Sequence, residues 1–143
     1  MSAIEQPVVE FFLALQRSVN AADAGAIARA FAAELLVADP ADARAQANDP
    51  VFRASIQRWL DLLRQAGIRD AKALQIDPMP LGANYALVQV RWSIWFMPRG
   101  RSDFVNEFLI DYLVALRESG IEIVTVIVHD DEATLRQRMQ VPG

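Results

Sequence analysis

A chain of 143 residues, with 14 Lys and Arg against 18 Asp and Glu, fits a single domain over 1–143 with a net charge of −4. The absence of cysteine excludes disulfides and thiolate metal sites, and the interspersed charges offer no basic face for nucleic acid. No apolar run approaches the ~20 residues of a membrane span.

Val8, Phe11, Phe12, Leu15 and Val19 follow the i, i+3, i+4, i+7 spacing of an amphipathic helix, with Pro7 in its first turn and Asn20 as a left-handed stop. The segment VVEFFLAL carries Glu10 and lacks a cationic start and a small-residue cleavage site. It therefore reads as helix and not as an export signal, and a soluble cytoplasmic protein is expected. Asp23 caps a shorter helix with an inner face of Ile27, Ala30 and Phe31. LLVADP (35–40) predicts a strand ended by Pro40, and PADARAQAN (40–48) a loop with one helical turn. Asp49-Pro50 opens a helix bearing Phe52, Ile56, Trp59, Leu60 and Leu63, which stops at Gly67.

Beyond Gly67 the period becomes 2. Strands are predicted over 71–78, 85–97, 108–116 and 121–129, joined by PMPLGAN, PRGRS and RESG, with a last short helix including Leu135 and Met139. Helices followed by an antiparallel meander make an α+β domain. A five-residue PRGRS loop pairs Met97 with Asp103. Gln89 then faces Asp111, with Arg91 diagonal to both Asp111 and Glu107. A three-residue ESG turn brings His129 diagonal to Asp111.

Asp111, alone among apolar residues in FLIDYLVAL (108–116), needs a reason, because a carboxylate costs several kcal/mol to bury without partners. Alternation separates an apolar row (Val88, Val90, Trp92, Ile94, Phe96) from a mixed row (Gln89, Arg91, Ser93, Trp95) that shares its side with Asp111. Either the apolar row packs on the helices and the mixed row meets solvent, or the mixed row walls a cavity and the apolar row meets a second subunit. Trp59, Trp92 and Trp95 read as core or interface anchors. Asp130, Asp131 and Glu132, beside the chain's single histidine, read as helix-capping residues and not as a metal site.

The order of elements, with NAADAGAIARAFAAELLVADP (20–40), FLIDYLVALRESG (108–120) and IEIVTVIVHDD (121–131), resembles the NTF2-like superfamily, in its SnoaL-like and ketosteroid-isomerase-like branch. The resemblance implies a curved sheet wrapped round the helices as a cone, a pocket inside it, and homodimers joined through the sheet's outer face. In the isomerases, a carboxylate before proline after the first strand shuttles the substrate proton, and Asp39 stands in the similar place. A protonated acid on a later strand donates to the oxyanion, and Asp111 matches it. The tyrosine on their first helix is replaced here by Leu15, and loss of one oxyanion donor costs on the order of 10²–10³ in rate.

Other members pair Asp with His or Arg. The epoxide-hydrolase pattern sets Arg and Asp two apart on one strand, whereas Ser93 lies two beyond Arg91 here. The resemblance thus implies catalytic roles for Asp111, Asp39 and His129 around a small, largely apolar ligand. Arg91, Gln89, Trp95 and Leu15 would contact that ligand, with no cofactor or metal. It turns the mixed row inward. The chemistry expected is isomerisation, dehydration or hydrolysis; the alternative is a non-catalytic dimerisation or partner-binding module whose cone is filled by its own side chains.

Overall fold

The computed structural model describes residues 4–129; the expected last helix with Leu135 and Met139, and its capping residues Asp130, Asp131 and Glu132, lie outside them. Helix α1 (Glu5–Asn20) buries Val8, Phe12, Leu15 and Val19, the stripe its spacing predicts. The left-handed residue that ends the turn is Ala22 (φ 53°), not Asn20. The Asp23 side chain caps α2 (Ala24–Arg29) by accepting from Ala26 N at 3.0 Å. Phe31, expected on that helix, instead opens strand β1 (Phe31–Ala38).

Residues 43–47 correct the expected helical turn. They form β2 (Ala43–Ala47), antiparallel to β1. Alanine, arginine and glutamine favour helix intrinsically, but pairing with an otherwise open strand edge outweighs that weak preference. Asp49 caps α3 (Pro50–Gln65) by accepting from Phe52 N at 2.9 Å, with proline in the first turn as predicted. Gly67 (φ 89°) ends the connection, and a side chain there would collide with the Met97 carbonyl at 2.8 Å.

Strands β3 (Ile68–Leu81), β4 (Tyr85–Phe96), β5 (Phe104–Arg117) and β6 (Gly120–Val128) complete one sheet of order β2-β1-β6-β5-β4-β3. Only β1 and β6 run parallel within it. Register shifts in β3 and between β5 and β6 bend the sheet around the helices. At the free edge of β3, α1 supplies the missing partners. Asn20 accepts from Ala71 N (2.8 Å) and donates to Ala71 O (2.9 Å), and Gln16 accepts from Ala73 N (2.7 Å).

The predicted β4–β5 register is realised: Gln89 pairs with Asp111, and Arg91, opposite Leu109, is diagonal to Asp111 and Glu107. The β5–β6 turn is one residue tighter than expected, with Arg117 opposite Gly120. A bulge after Val114/Ile123 restores the expected register, so Asp111 faces Ile127. The sheet faces as the first of the two residue readings has it and opposite to what the resemblance implied. Val88, Val90, Trp92, Ile94 and Phe96 are buried against the helices, while Gln89, Arg91 and Trp95 on the other face are exposed. Each large apolar side chain gains about 1.5–3 kcal/mol on burial, whereas an exposed ion pair contributes about 0–1 kcal/mol. The apolar stripes of α1 and α3 therefore select the apolar row.

Candidate functional site

Between helices and sheet lies a cavity of about 270 Å³. Leu15 and Val19 of α1, Ile27 of α2, and Ile56 and Trp59 of α3 form its helical wall. Trp92 and Ile94 of β4, Phe108, Ile110 and Tyr112 of β5, and Val126 of β6 form the sheet wall, with Ala71 of β3 beside them. Among the described lining residues, only Ser55, Trp59, Trp92 and Tyr112 carry side-chain polar atoms, and none is Asp, Glu, Lys, Arg or His.

Trp92 and Tyr112 are four register positions apart on neighbouring strands, yet their tips meet: Trp92 Nε1 donates to Tyr112 Oη at 3.0 Å. Phe12 packs on the Tyr112 ring with centroids 4.9 Å apart. Burial pushes the Tyr112 phenol well above its ordinary range, and the Trp92 hydrogen bond only partly offsets this. Tyr112 is therefore a neutral hydroxyl at any physiological pH. Ser55 Oγ donates to Phe52 O at 2.6 Å within its own helix.

The residues expected to carry chemistry lie elsewhere, Leu15 excepted. Asp111 does gather its predicted neighbours, accepting from Gln89 Nε2 at 3.1 Å and lying 2.8 Å from His129 Nε2. That cluster stands on the sheet's outer face, where the His129 and Asp111 side chains keep 49% and 19% of their exposure. Arg91 shares the face, exposed, and so does Trp95 at 41% exposure. Asp39 is a turn residue: one carboxylate oxygen accepts from Ala41 N and Asp42 N, both at 2.9 Å, and the other is 3.9 Å from Arg44. The mixed row thus holds together as a cluster but does not wall the cavity.

The family model for NTF2-like protein (DUF6841) matches residues 2–131. The chain belongs to this NTF2-like family. Solved structures agree in fold. Aln2 from a Streptomyces species superposes with a TM-score of 0.74 at 11% identity, covering 96% of this chain and 99% of that one. An NTF-2 like protein of unknown function from Shewanella oneidensis gives 0.67 at 16%, covering 87% and 98%. A ketosteroid isomerase-like protein from Erwinia carotovora atroseptica gives 0.64 at 10%, covering 90% and 97%. At these identities the likeness is one of fold. Comparison with curated proteins gives no match. Among the described residues, no helix is long and apolar enough to cross a membrane.

Within this NTF2-like cone, the Trp92–Tyr112 pair is a feature that residue patterning alone did not single out. A signal was present: two aromatics with polar tips fell in rows otherwise made of hydrocarbon, and such tips find a partner when buried.

Proposed function

We propose that this NTF2-like domain binds a small, neutral, largely apolar organic molecule between its helices and sheet. The lining carries the proposal. An apolar ligand gains roughly 25 cal/mol for each Å² removed from water, whereas a charged one would be desolvated among described lining residues that include no counter-charge. An apolar cavity of about 150 Å³ accommodates benzene. The 270 Å³ found here suits a molecule of one or two fused rings.

Acid–base turnover has less support. Asp111, Asp39 and His129 are not among the lining residues, and Tyr112 holds its proton too firmly to act as a base. The unfilled volume also speaks against a cone plugged by its own side chains. The test is titration with indane, a neutral bicyclic hydrocarbon, followed by tryptophan fluorescence and thermal unfolding. Saturable binding with a raised Tm supports the proposal, and no saturable binding by indane overturns it.

We further propose that the outer face joins a second copy of the chain. Trp95 and Val105, opposite each other in register, remain 41% and 55% exposed, and Met79 on the same face 51%. Sedimentation should show a dimer that Val105→Lys dissociates; a wild-type monomer would overturn this.

A further inference from the structure

Among the described residues, the buried Trp92–Tyr112 pair in the cavity wall leaves one side-chain hydrogen without an acceptor; Trp59, the other lining indole, is 36% exposed and not part of this buried set. Trp92 gives its N–H to Tyr112, and Ser55 gives its hydroxyl hydrogen to the Phe52 carbonyl. Tyr112 accepts from Trp92, and among the described residues its own O–H has no acceptor. The hydroxyl is buried and held neutral, and its ring is fixed against Phe12. A phenol that accepts one hydrogen bond becomes a better donor of its own. A hydroxyl hydrogen without an acceptor in hydrocarbon surroundings carries a cost even when the oxygen accepts a bond, and a ligand acceptor would remove it.

We propose that Tyr112 is the specificity-determining donor of this site, and that the ligand class is a neutral, mostly hydrocarbon molecule with one oxygen acceptor, a ketone or aldehyde carbonyl. This rests on the cavity being a ligand site and goes beyond it by fixing the polar end. Trp92 acts as a positioning residue: its indole N–H occupies one lone pair of the tyrosine oxygen and directs the hydroxyl hydrogen elsewhere. A carboxylate ligand is disfavoured because, among the described residues, no cation lines the cavity to offset its desolvation.

The experiment compares indane with 1-indanone, which differ by one carbonyl. Both should bind the wild type, and the carbonyl stretch of bound 1-indanone should fall below its frequency in hexane. Tyr112→Phe should weaken 1-indanone by roughly tenfold, the worth of one good hydrogen bond, and return the band toward its hexane position. Indane affinity should change less than about twofold, since it makes no such bond. Trp92→Phe, which keeps the hydroxyl, should weaken 1-indanone less than Tyr112→Phe does.

Equal losses for both probes in Tyr112→Phe would overturn the donor role, as would a wild-type band at its hexane frequency. If Tyr112→Phe does not fold, the wild-type band decides alone. Binding of indane without 1-indanone overturns the donor proposal and leaves the apolar-ligand reading standing. Failure of both probes overturns that reading itself.

Discussion

Ala71→Leu separates an open cone from a filled one by the sign of its effect. Ala71 is 1% exposed and lines the cavity, and its backbone N–H and carbonyl are both held by Asn20. The strand cannot easily retreat, so a longer side chain at 71 must enter the cavity. Leucine adds three carbons at about 0.8 kcal/mol each when buried, less about 0.5–1 kcal/mol of lost rotamer entropy. The variant should gain roughly 1.5 kcal/mol, or about 3–6 °C in Tm for a chain of this size. Urea unfolding at unchanged m would give the energy directly. The same variant should lose indane binding, a gain of stability made at the expense of a site. A core already packed to density would instead lose about 1–3 kcal/mol from overpacking. A destabilised Ala71→Leu with wild-type affinity for indane would refute the reasoning.

Asp111→Asn should change stability by no more than about 1 kcal/mol in urea unfolding and leave indane affinity unaltered, since its partners lie on the exposed face. A loss of several kcal/mol would show a buried role instead. Asn20→Ala orphans both backbone groups of Ala71 at the sheet's edge and should cost about 1–3 kcal/mol. Alkaline unfolding should report Tyr112. Because burial raises its folded pKa, the stabilisation is complete below the phenol's ordinary value of about 10. Above it the unfolded chain releases a proton that the folded one keeps, so stability falls by up to about 1.4 kcal/mol per pH unit until the folded group also titrates. Tyr112→Phe should remove that component of the slope, and identical slopes for both proteins would exclude it.

What the sequence makes legible here is local or combinatorial. Asp49-Pro50 and Gly67 bound α3 because a cap, a proline and a glycine act on their own backbone. Loop length and alternation together yield the β4–β5 register and, through it, the neighbours of Asp111. β2 is illegible because nothing in ARAQA prefers strand; it becomes one by filling the edge of β1. The parallel β1–β6 pair joins strands far apart in the chain, Leu36 beside Thr125, and no local signal encodes it. Alternation sorts residues into two rows without saying which row looks inward. The stripes on α1 and α3 held that information. The resemblance to enzymes with acids in their pockets pointed the other way, and burial energy decided against it.

That reversal changes what the domain can do chemically. With Asp111 inside, the cone would contain a charge able to move a proton or to stabilise one developing in a substrate. With Asp111 outside, in contact with Gln89 and His129, the described lining of the cavity is left with hydrocarbon, the Ser55 hydroxyl, two indoles and a phenol whose proton is held by its own burial. As a ligand site, such a space would discriminate by shape and by the hydrogen bond proposed for Tyr112, and it would reject ions through their desolvation. The mid-strand acid that first suggested catalysis then has another use. Partly covered by its neighbours, the Asp111 cluster shares a mixed face with exposed Arg91 and Glu107 and with the apolar Trp95 and Val105. A second copy docking there would have to match hydrogen bonds as well as hydrocarbon, which restricts it to few orientations.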